Sequence, residues 1–392
     1  MLILTIIAMG GGIIAPNLAG KQNTGEAPEN GSTITAEAAS ITYPTAASSH
    51  GLGQFPDGYT YYYTDKDLYV NYHNGSGTSD LTKITVDTVT ANNHGTKQNP
   101  YVIANTTDWA NFVTYVMSDT NVWGSGKFFA LAGDLNFSTA TFRALGYFSG
   151  TFYGLGHIIS NITTNFSNVG VTANSATGTW GYGLFCRTYN ATITDLVVKD
   201  FTYQNFTQGY KTHNERGSAV GGVVGYASGN DYVLNCHTNG TVKSTNTYTC
   251  HVPVGGIVGS THNGQQYNAS KATTTTSSYV YRCSSELSVS ILCDNENHVV
   301  IPAGIVGENY DCRNTAYIYD CAANVKVTDA TGSWGAYASV GLAITGRGAG
   351  VVIDGLVGRM EFTLPKSTTP TYSGAITGVF GGATKAAITI KN

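Results

Sequence analysis

The stretch Gly221–Val242, GGVVGYASGNDYVLNCHTNGTV, decides the fold. It holds a glycine pair, two valines and a third glycine, then a Val-Leu-Asn-Cys run, then a valine six residues past the cysteine. The same order returns downstream. Gly221-Gly222-Val223-Val224-Gly225 is followed by Gly255-Gly256-Ile257-Val258-Gly259 and Ala303-Gly304-Ile305-Val306-Gly307. Weaker copies are Ala343-Ile344-Thr345-Gly346 and Ala375-Ile376-Thr377-Gly378, and Tyr182-Gly183-Leu184-Phe185-Cys186 stands first. Between these blocks lie Val233-Leu-Asn-Cys236, Val280-Tyr-Arg-Cys283 and Ile318-Tyr-Asp-Cys321, with Val242, Val289 and Val327 six residues beyond each cysteine. Self-similarity at 32–48 residues marks an array whose units bury their apolar faces only against one another.

Each unit therefore reads as three short β-rich pieces: a glycine block, a cysteine block and a valine block. Bends rich in Gly, Asn and Thr separate them, and none is long enough for a helix. Three short strands returning to one register describe a coil of a parallel β-helix, a solenoid whose coils pair by backbone hydrogen bonds at ~4.8 Å. Stacking places Val224, Val258 and Val306 in one interior ladder and Cys236, Cys283 and Cys321 in another. Leu196 and Gly355 fall in the same column as the cysteines, so the thiols read as small apolar fillers rather than metal ligands. Of the remaining cysteines, Cys250 and Cys293 are candidate disulfide partners, with Cys293–Cys312 the other pairing.

Composition agrees. Of 392 residues only 11% are charged, against roughly 25% in ordinary globular chains, while 48 glycines and 26 tyrosines suit strands joined by tight bends. A net charge of −4, with no basic run interleaved with aromatics, excludes a nucleic-acid partner. Seven cysteines occur without a CxxC pair, which removes zinc ribbons and thioredoxin-like redox sites. Residues 1–20, MLILTIIAMGGGIIAPNLAG, read as a secretory signal peptide, atypical or clipped because it lacks a basic start, against a buried strand or a miscalled start, and are too interrupted to span a membrane. The expected location is extracellular or at the cell surface.

Upstream of the array the chain divides further. Residues 21–94 form a Gly-, Thr- and Tyr-rich segment in which Tyr59, Tyr61 and Tyr63 alternate as one strand face would. That strip is a candidate sugar-stacking surface, against the plainer reading that it packs on a neighbouring strand. Residues 95–138 hold a helix, capped by Thr106 or Thr107 and carrying Trp109, Phe112, Val113 and Val116 on one face, then a strand, KFFALAGDLNF. The helix is expected to cover the open end of the first coil. Residues 139–392 are the array.

Chemistry is sparse. No HExxH pair, GxSxG elbow or cysteine-peptidase signature is present. One column preceding the cysteines reads Asp195, Asn235, Arg282, Asp320, Asp354. Asp and Asn are what bends favour; the rival reading makes Asp320 and Asp354 the acids of a carbohydrate-active β-helix enzyme. Asp294 and Glu296, in the loop CDNENH, are candidate calcium ligands, and no other cofactor is indicated.

The segments GTKQNPYVI, KFFALAGDLNF and FRALGYFSGTFYGLGHIISNIT, with the later GGIVG…NC…V units, together resemble the GLUG-repeat proteins over about residues 95–392. That resemblance implies a right-handed parallel β-helix on a secreted or surface-displayed bacterial protein, adhesin-like, of a kind also found beside IgA-protease-type metallopeptidases. The long loop Thr261–Ser278 and the degenerate last two repeats depart from the pattern. The expectation is an all-β, non-enzymatic scaffold that meets a host or environmental glycan or a surface protein, with end-to-end self-association as a further partner.

Overall fold

The computed structural model describes residues 95–97, 100–118, 123–165, 180–204, 218–247, 251–261, 275–293, 299–309, 314–328, 339–346 and 350–362, with short strands at 2–7, 59–64, 67–72, 81–83, 87–88, 336–337, 372–373, 377–379 and 388–391. The described residues are mostly β, with long parallel sheets and one helix.

Three parallel sheets carry the repeats. The first is built from Trp180–Tyr182, Ser218–Gly221, His251–Gly255, Val299–Ala303 and Ala336–Tyr337. The second runs, neighbour to neighbour, through Leu145–Phe148, Phe185–Thr188, Val224–Ala227, Val258–Thr261, Val306–Asn309, Ile344–Gly346 and Thr377–Val379. The third includes Thr151–Tyr153, Thr192–Thr194, Tyr232–Leu234, Thr276–Tyr281, Asn314–Val327, Gly350–Phe362 and Ile388–Lys391, each pair of neighbours parallel. Successive repeats thus pair rung on rung. Val224 is in register with Val258, and Val258 with Val306. The inward column Phe152, Ile193, Val233, Val280, Ile318, Ile353 is buried throughout.

The division of each unit differs from the sequence reading. The glycine block straddles the corner between the first and second sheets: Gly221 ends one strand, Gly222 and Val223 turn, and Val224 opens the next, while the cysteine and valine blocks share the third sheet. Asn314–Val327 is one strand containing both. The corner has no room for side chains: a Cβ on Gly221 would fall 2.6 Å from the Gly259 nitrogen, and one on Gly222 would fall 3.0 Å from Thr238 Cγ2. Hydroxyls from the third sheet close the corner from inside. Thr238 Oγ1 donates to the Gly256 carbonyl at 2.8 Å, Ser285 Oγ donates to Gly304, and the Tyr203 hydroxyl donates to Gly222 at 3.2 Å. Buried carbonyls that turn the chain are thereby satisfied, which a close-packed interior requires.

Two further placements depart from the repeat alignment. Ile344, not Thr345, continues the Val306 position, and Thr377 lies on Ile344. An unmarked rung precedes the first repeat: Leu145 pairs with Phe185 and Phe152 with Ile193.

The helix α1, Thr106–Ser118, packs against the strands Leu145–Phe148 and Tyr101–Ile103. Trp109, Phe112, Val113 and Val116 are fully buried. The Trp109 ring meets Phe142, Phe152 and Phe185 at 5.8, 6.2 and 6.3 Å, and its Nε1 donates to the Arg143 carbonyl at 2.8 Å. Phe152 and Phe185 belong to the first two rungs, so the helix plugs the core where the second sheet ends. Its N-cap is Asn105, not Thr106 or Thr107. The Asn105 carboxamide oxygen accepts from the Thr107 and Asp108 amides at 3.0 Å each, while Asp108 reaches back to the Ala104 amide. Both threonines already have helical backbone, one and two residues past the cap position, so neither is placed to serve the first amides.

Tyr59–Thr64, Asp67–Tyr72 and Leu81–Lys83 form a separate three-stranded antiparallel sheet. Leu2–Ile7, within the segment read as a leader, lies antiparallel to Val357–Phe362. Among the described residues no helix is long and apolar enough to cross a membrane.

Candidate functional site

Each rung leaves the tight bend before the cysteine through a residue in the left-handed region: Asp195 (φ 58°), Asn235 (50°), Arg282 (53°), Asp320 (50°) and Gly355 (74°). This column was read in sequence as ending on Asp354. The structure places Gly355 there, because Cys321 is in register with Leu356 and Asp354 with Tyr319. The Cys column therefore runs Leu196, Cys236, Cys283, Cys321, Leu356, and Gly355 is not in it. A residue forced to positive φ is most easily Gly, Asn or Asp, which explains the type at four of the five positions.

Asp195 in this corner and Asp231 in a neighbouring turn serve as hydrogen-bond acceptors. Asp195, 4% exposed, accepts from Thr194 Oγ1 at 2.5 Å and from the Asn235 carboxamide of the next rung at 2.9 Å. Asp231 is buried in the turn between the second and third sheets, where it accepts from the Ala191 and Gly229 amides at 2.9 and 2.8 Å. Burial raises its carboxyl from 3.8 to about 6, and those amides with the Thr188 hydroxyl and Ser228 amide moderate the rise. Asp320 and Asp354, the two acids of the enzymatic reading, are on different columns. Among the described residues no group of three or more His, Cys, Asp or Glu is arranged to hold a metal ion.

The cysteines Cys186, Cys236, Cys283 and Cys321 are buried free thiols. Cys283 Sγ lies 3.4 Å from the Cys236 amide, and each ladder thiol points at carbonyls of its own and the preceding rung: Cys321 meets Tyr319 O at 3.2 Å and Val280 O at 3.6 Å. Burial pushes the Cys186 thiol up to about 12 and drives Cys283 and Cys321 well above their ordinary value. A thiol held protonated in this way is neither nucleophile nor ligand. Cys250, Asp294 and Glu296 lie outside the described residues, and the side chains of Cys293, Tyr59, Tyr61 and Tyr63 do as well.

Sequence reasoning missed what the outer faces carry. On the third sheet Tyr232, Tyr279 and Tyr317 are in register and partly exposed. Their ring centroids are 4.8 Å apart at both steps, with planes 2° and 9° from parallel. Tyr281, buried, and Tyr319 form the next same-face pair along the strands, and the Arg282 guanidinium carbon lies 5.2 Å from the Tyr281 ring. Burial, and then the neighbouring phenols and Asp231 or Asp354, raise the hydroxyls of Tyr232 and Tyr319. The signal was present inside the aligned blocks, as Tyr-Val-Leu, Tyr-Val-Tyr and Tyr-Ile-Tyr, where each first tyrosine precedes the inward aliphatic. On the second sheet Trp123 stacks on Tyr147 at 4.9 Å, and the Arg187 guanidinium carbon sits 5.7 Å from Tyr147 and 5.6 Å from Tyr226.

No protein-family model matches the chain, and no curated protein is detectably similar to it. Among solved structures, a candidate immunoglobulin A1 protease from Bacteroides ovatus matches at 17% identity, covering 73% of this chain and 85% of that chain, with a TM-score of 0.40. The likeness is too slight to assign an activity.

Proposed function

We propose that this protein is a secreted or surface-displayed, non-enzymatic scaffold: a right-handed parallel β-helix of GLUG-like repeats that acts in adhesion or display and meets a glycan or a surface protein. The observation that carries this reading is how the buried polar side chains are used. Asp195, Asn235 and Asp231 each bind a bend of their own or a neighbouring rung. A glycosidase needs two carboxyls facing each other across a substrate, and the two acids of the enzymatic reading, Asp320 and Asp354, stand in different columns. The low share of charged residues favours an exported protein. The parallel rungs favour a stiff rod on which loops are held apart.

Two measurements test the proposal. Surface biotinylation of intact cells is expected to label the protein. Incubation with a panel of polysaccharides is expected to release no reducing ends. Product formation that disappears in Asp320→Asn would replace this reading with the enzymatic one.

A further inference from the structure

We propose that the tyrosine row Tyr232–Tyr279–Tyr317 is a binding site for an uncharged linear polysaccharide lying along the stacking direction of the rungs. This rests on the adhesive reading above and gives it a site and a ligand class.

Three observations select that occupant. The first is periodicity: the rings repeat once per rung at 4.8 Å with nearly parallel planes. A ladder of identical groups matches a ligand that also repeats along its length, not a compact one. The second is which parts of the rings face outward. Because the rings cover one another's faces, they offer edges and hydroxyls rather than an open ring on which one sugar could stack. Phenols both donate and accept, as sugar hydroxyls do. The third is charge. The same-face neighbours along these strands are Ser277 and Thr315 on one side, in register with each other and partly exposed, and Tyr281 and Tyr319 on the other. The row itself consists of phenols alone, with no lysine, arginine, aspartate or glutamate in it. A row of phenol hydroxyls flanked by Ser277 and Thr315 is complementary to an uncharged, hydroxyl-rich chain; the charged groups nearby, Asp231 beside Tyr232 and Arg282 against Tyr281, stand outside the row and are of opposite sign.

Ring stacking alone does not call for the hydroxyl, since phenylalanine would stack as well, so Tyr→Phe separates binding from support. The test is affinity electrophoresis of the full chain in gels containing either a neutral β-glucan or a polyuronate, alongside the triple variant Tyr232→Phe/Tyr279→Phe/Tyr317→Phe. The expected result is retardation by a neutral polysaccharide and not by the polyuronate, with apparent affinity at least about tenfold weaker in the triple variant, the loss of one to two net hydrogen bonds. Its melting temperature should be unchanged. Should the triple variant not fold, Tyr279→Phe, the middle position, is read alone and should still weaken retardation.

Equal retardation of the Phe variant, retardation by the polyuronate alone, or no retardation across a panel of neutral glucans, mannans and xylans overturns the site. So does a surface protein as the sole ligand in a pull-down. Each of these leaves the scaffold reading to be judged by surface labelling, and an intracellular protein that still binds through the row would reverse the outcome for the two.

Discussion

Gly355 stands on Asp320 of the preceding rung, and both take a left-handed backbone, at φ 74° and 50°. A Cβ on Gly355 would lie 2.5 Å from Asp320 Oδ1. Conformation and space therefore act together at this corner, unlike at Asn235 and Asp195, where a side chain is accommodated and bonds its neighbour. Gly355→Ala is expected to cost about 1–2 kcal/mol from the left-handed penalty together with displacement of the Asp320 carboxylate. Gly355→Asn should cost less on the backbone, because asparagine tolerates this region, but it keeps the clash. Combining either with Asp320→Gly removes the contact, so the double variant should recover stability relative to Gly355→Ala alone. Melting temperatures of the four proteins measure the coupling; additive losses would show that the two residues do not meet.

The helix plug gives a second prediction. Trp109 contacts aromatic rings of the first two rungs and has its indole nitrogen bonded. Trp109→Ala leaves a void among Phe112, Phe142, Phe152 and Phe185 and should cost about 3–5 kcal/mol. Trp109→Phe retains much of the packing, loses the bond to Arg143, and should cost less. With the plug loosened, the strand Leu145–Phe148, at the edge of its sheet, becomes open to pairing with other chains. Light scattering during the melt should then rise earlier in Trp109→Ala than in the wild type. A Trp109→Ala protein that melts with the wild type would mean that the helix is not part of the core.

How much of this was legible in sequence depends on what sets each feature. Val224, Val258 and Val306 were visible as a ladder because burial on both sides restricts them to aliphatics, which leaves a repeating letter. The glycine pair was visible but misjudged: a string of Gly and Val has no signal that separates a strand from a corner, and only the Thr238–Gly256 and Ser285–Gly304 bonds across the core show which it is. The last two repeats slipped because Gly355 was matched to a cysteine by its distance from Val352, whereas the bend, which takes Asp, Asn, Arg or Gly, was the feature to align. Asn105 was passed over as cap for a similar reason, since three adjacent residues, Asn105, Thr106 and Thr107, are all good caps and only the helix start decides between them. The tyrosine row leaves a weaker mark in the sequence than the dense cluster at Tyr59–Tyr63. Single tyrosines about 40 residues apart look unrelated until the rungs are stacked.

The buried thiols make a third prediction. Cys186, Cys283 and Cys321 are shut from solvent and hold their protons far above neutral pH, and Cys236 is as buried. Alkylation of the native protein at pH 8, followed by peptide mapping, should leave all four unmodified, and unfolding in guanidinium should expose all four. Cys283→Ser, which puts a more polar group at an apolar corner, should lower the melting temperature more than Cys283→Ala does. Rapid native labelling of Cys283 would reject the closed ladder.

The fourth prediction concerns pH, where two buried groups oppose each other. His237 donates to or accepts from Ser284 Oγ through Nδ1 at 2.8 Å, and burial lowers its proton affinity from 6.5 to about 4. Between those values the unfolded chain holds a proton that the native protein refuses, so acidification from pH 6.5 to 4 removes stability, by up to about 3 kcal/mol. Asp231 acts in the other direction. Its folded value of about 6 lies above the ordinary 3.8, so the native protein takes up the proton first. That contribution is fully present below about pH 4 and is lost as pH rises through 6, again by up to about 3 kcal/mol. Over pH 4 to 6 the two largely cancel. Asp231→Asn should therefore melt lower at every pH, since it places donors against the Ala191 and Gly229 amides, and should also lose stability more steeply than wild type as pH falls through this window. His237→Gln should do the reverse and gain stability on acidification relative to wild type. Melting curves in matched buffers from pH 3.5 to 7.5 measure the slopes, and three parallel profiles would show that neither group is as buried as its surroundings make it.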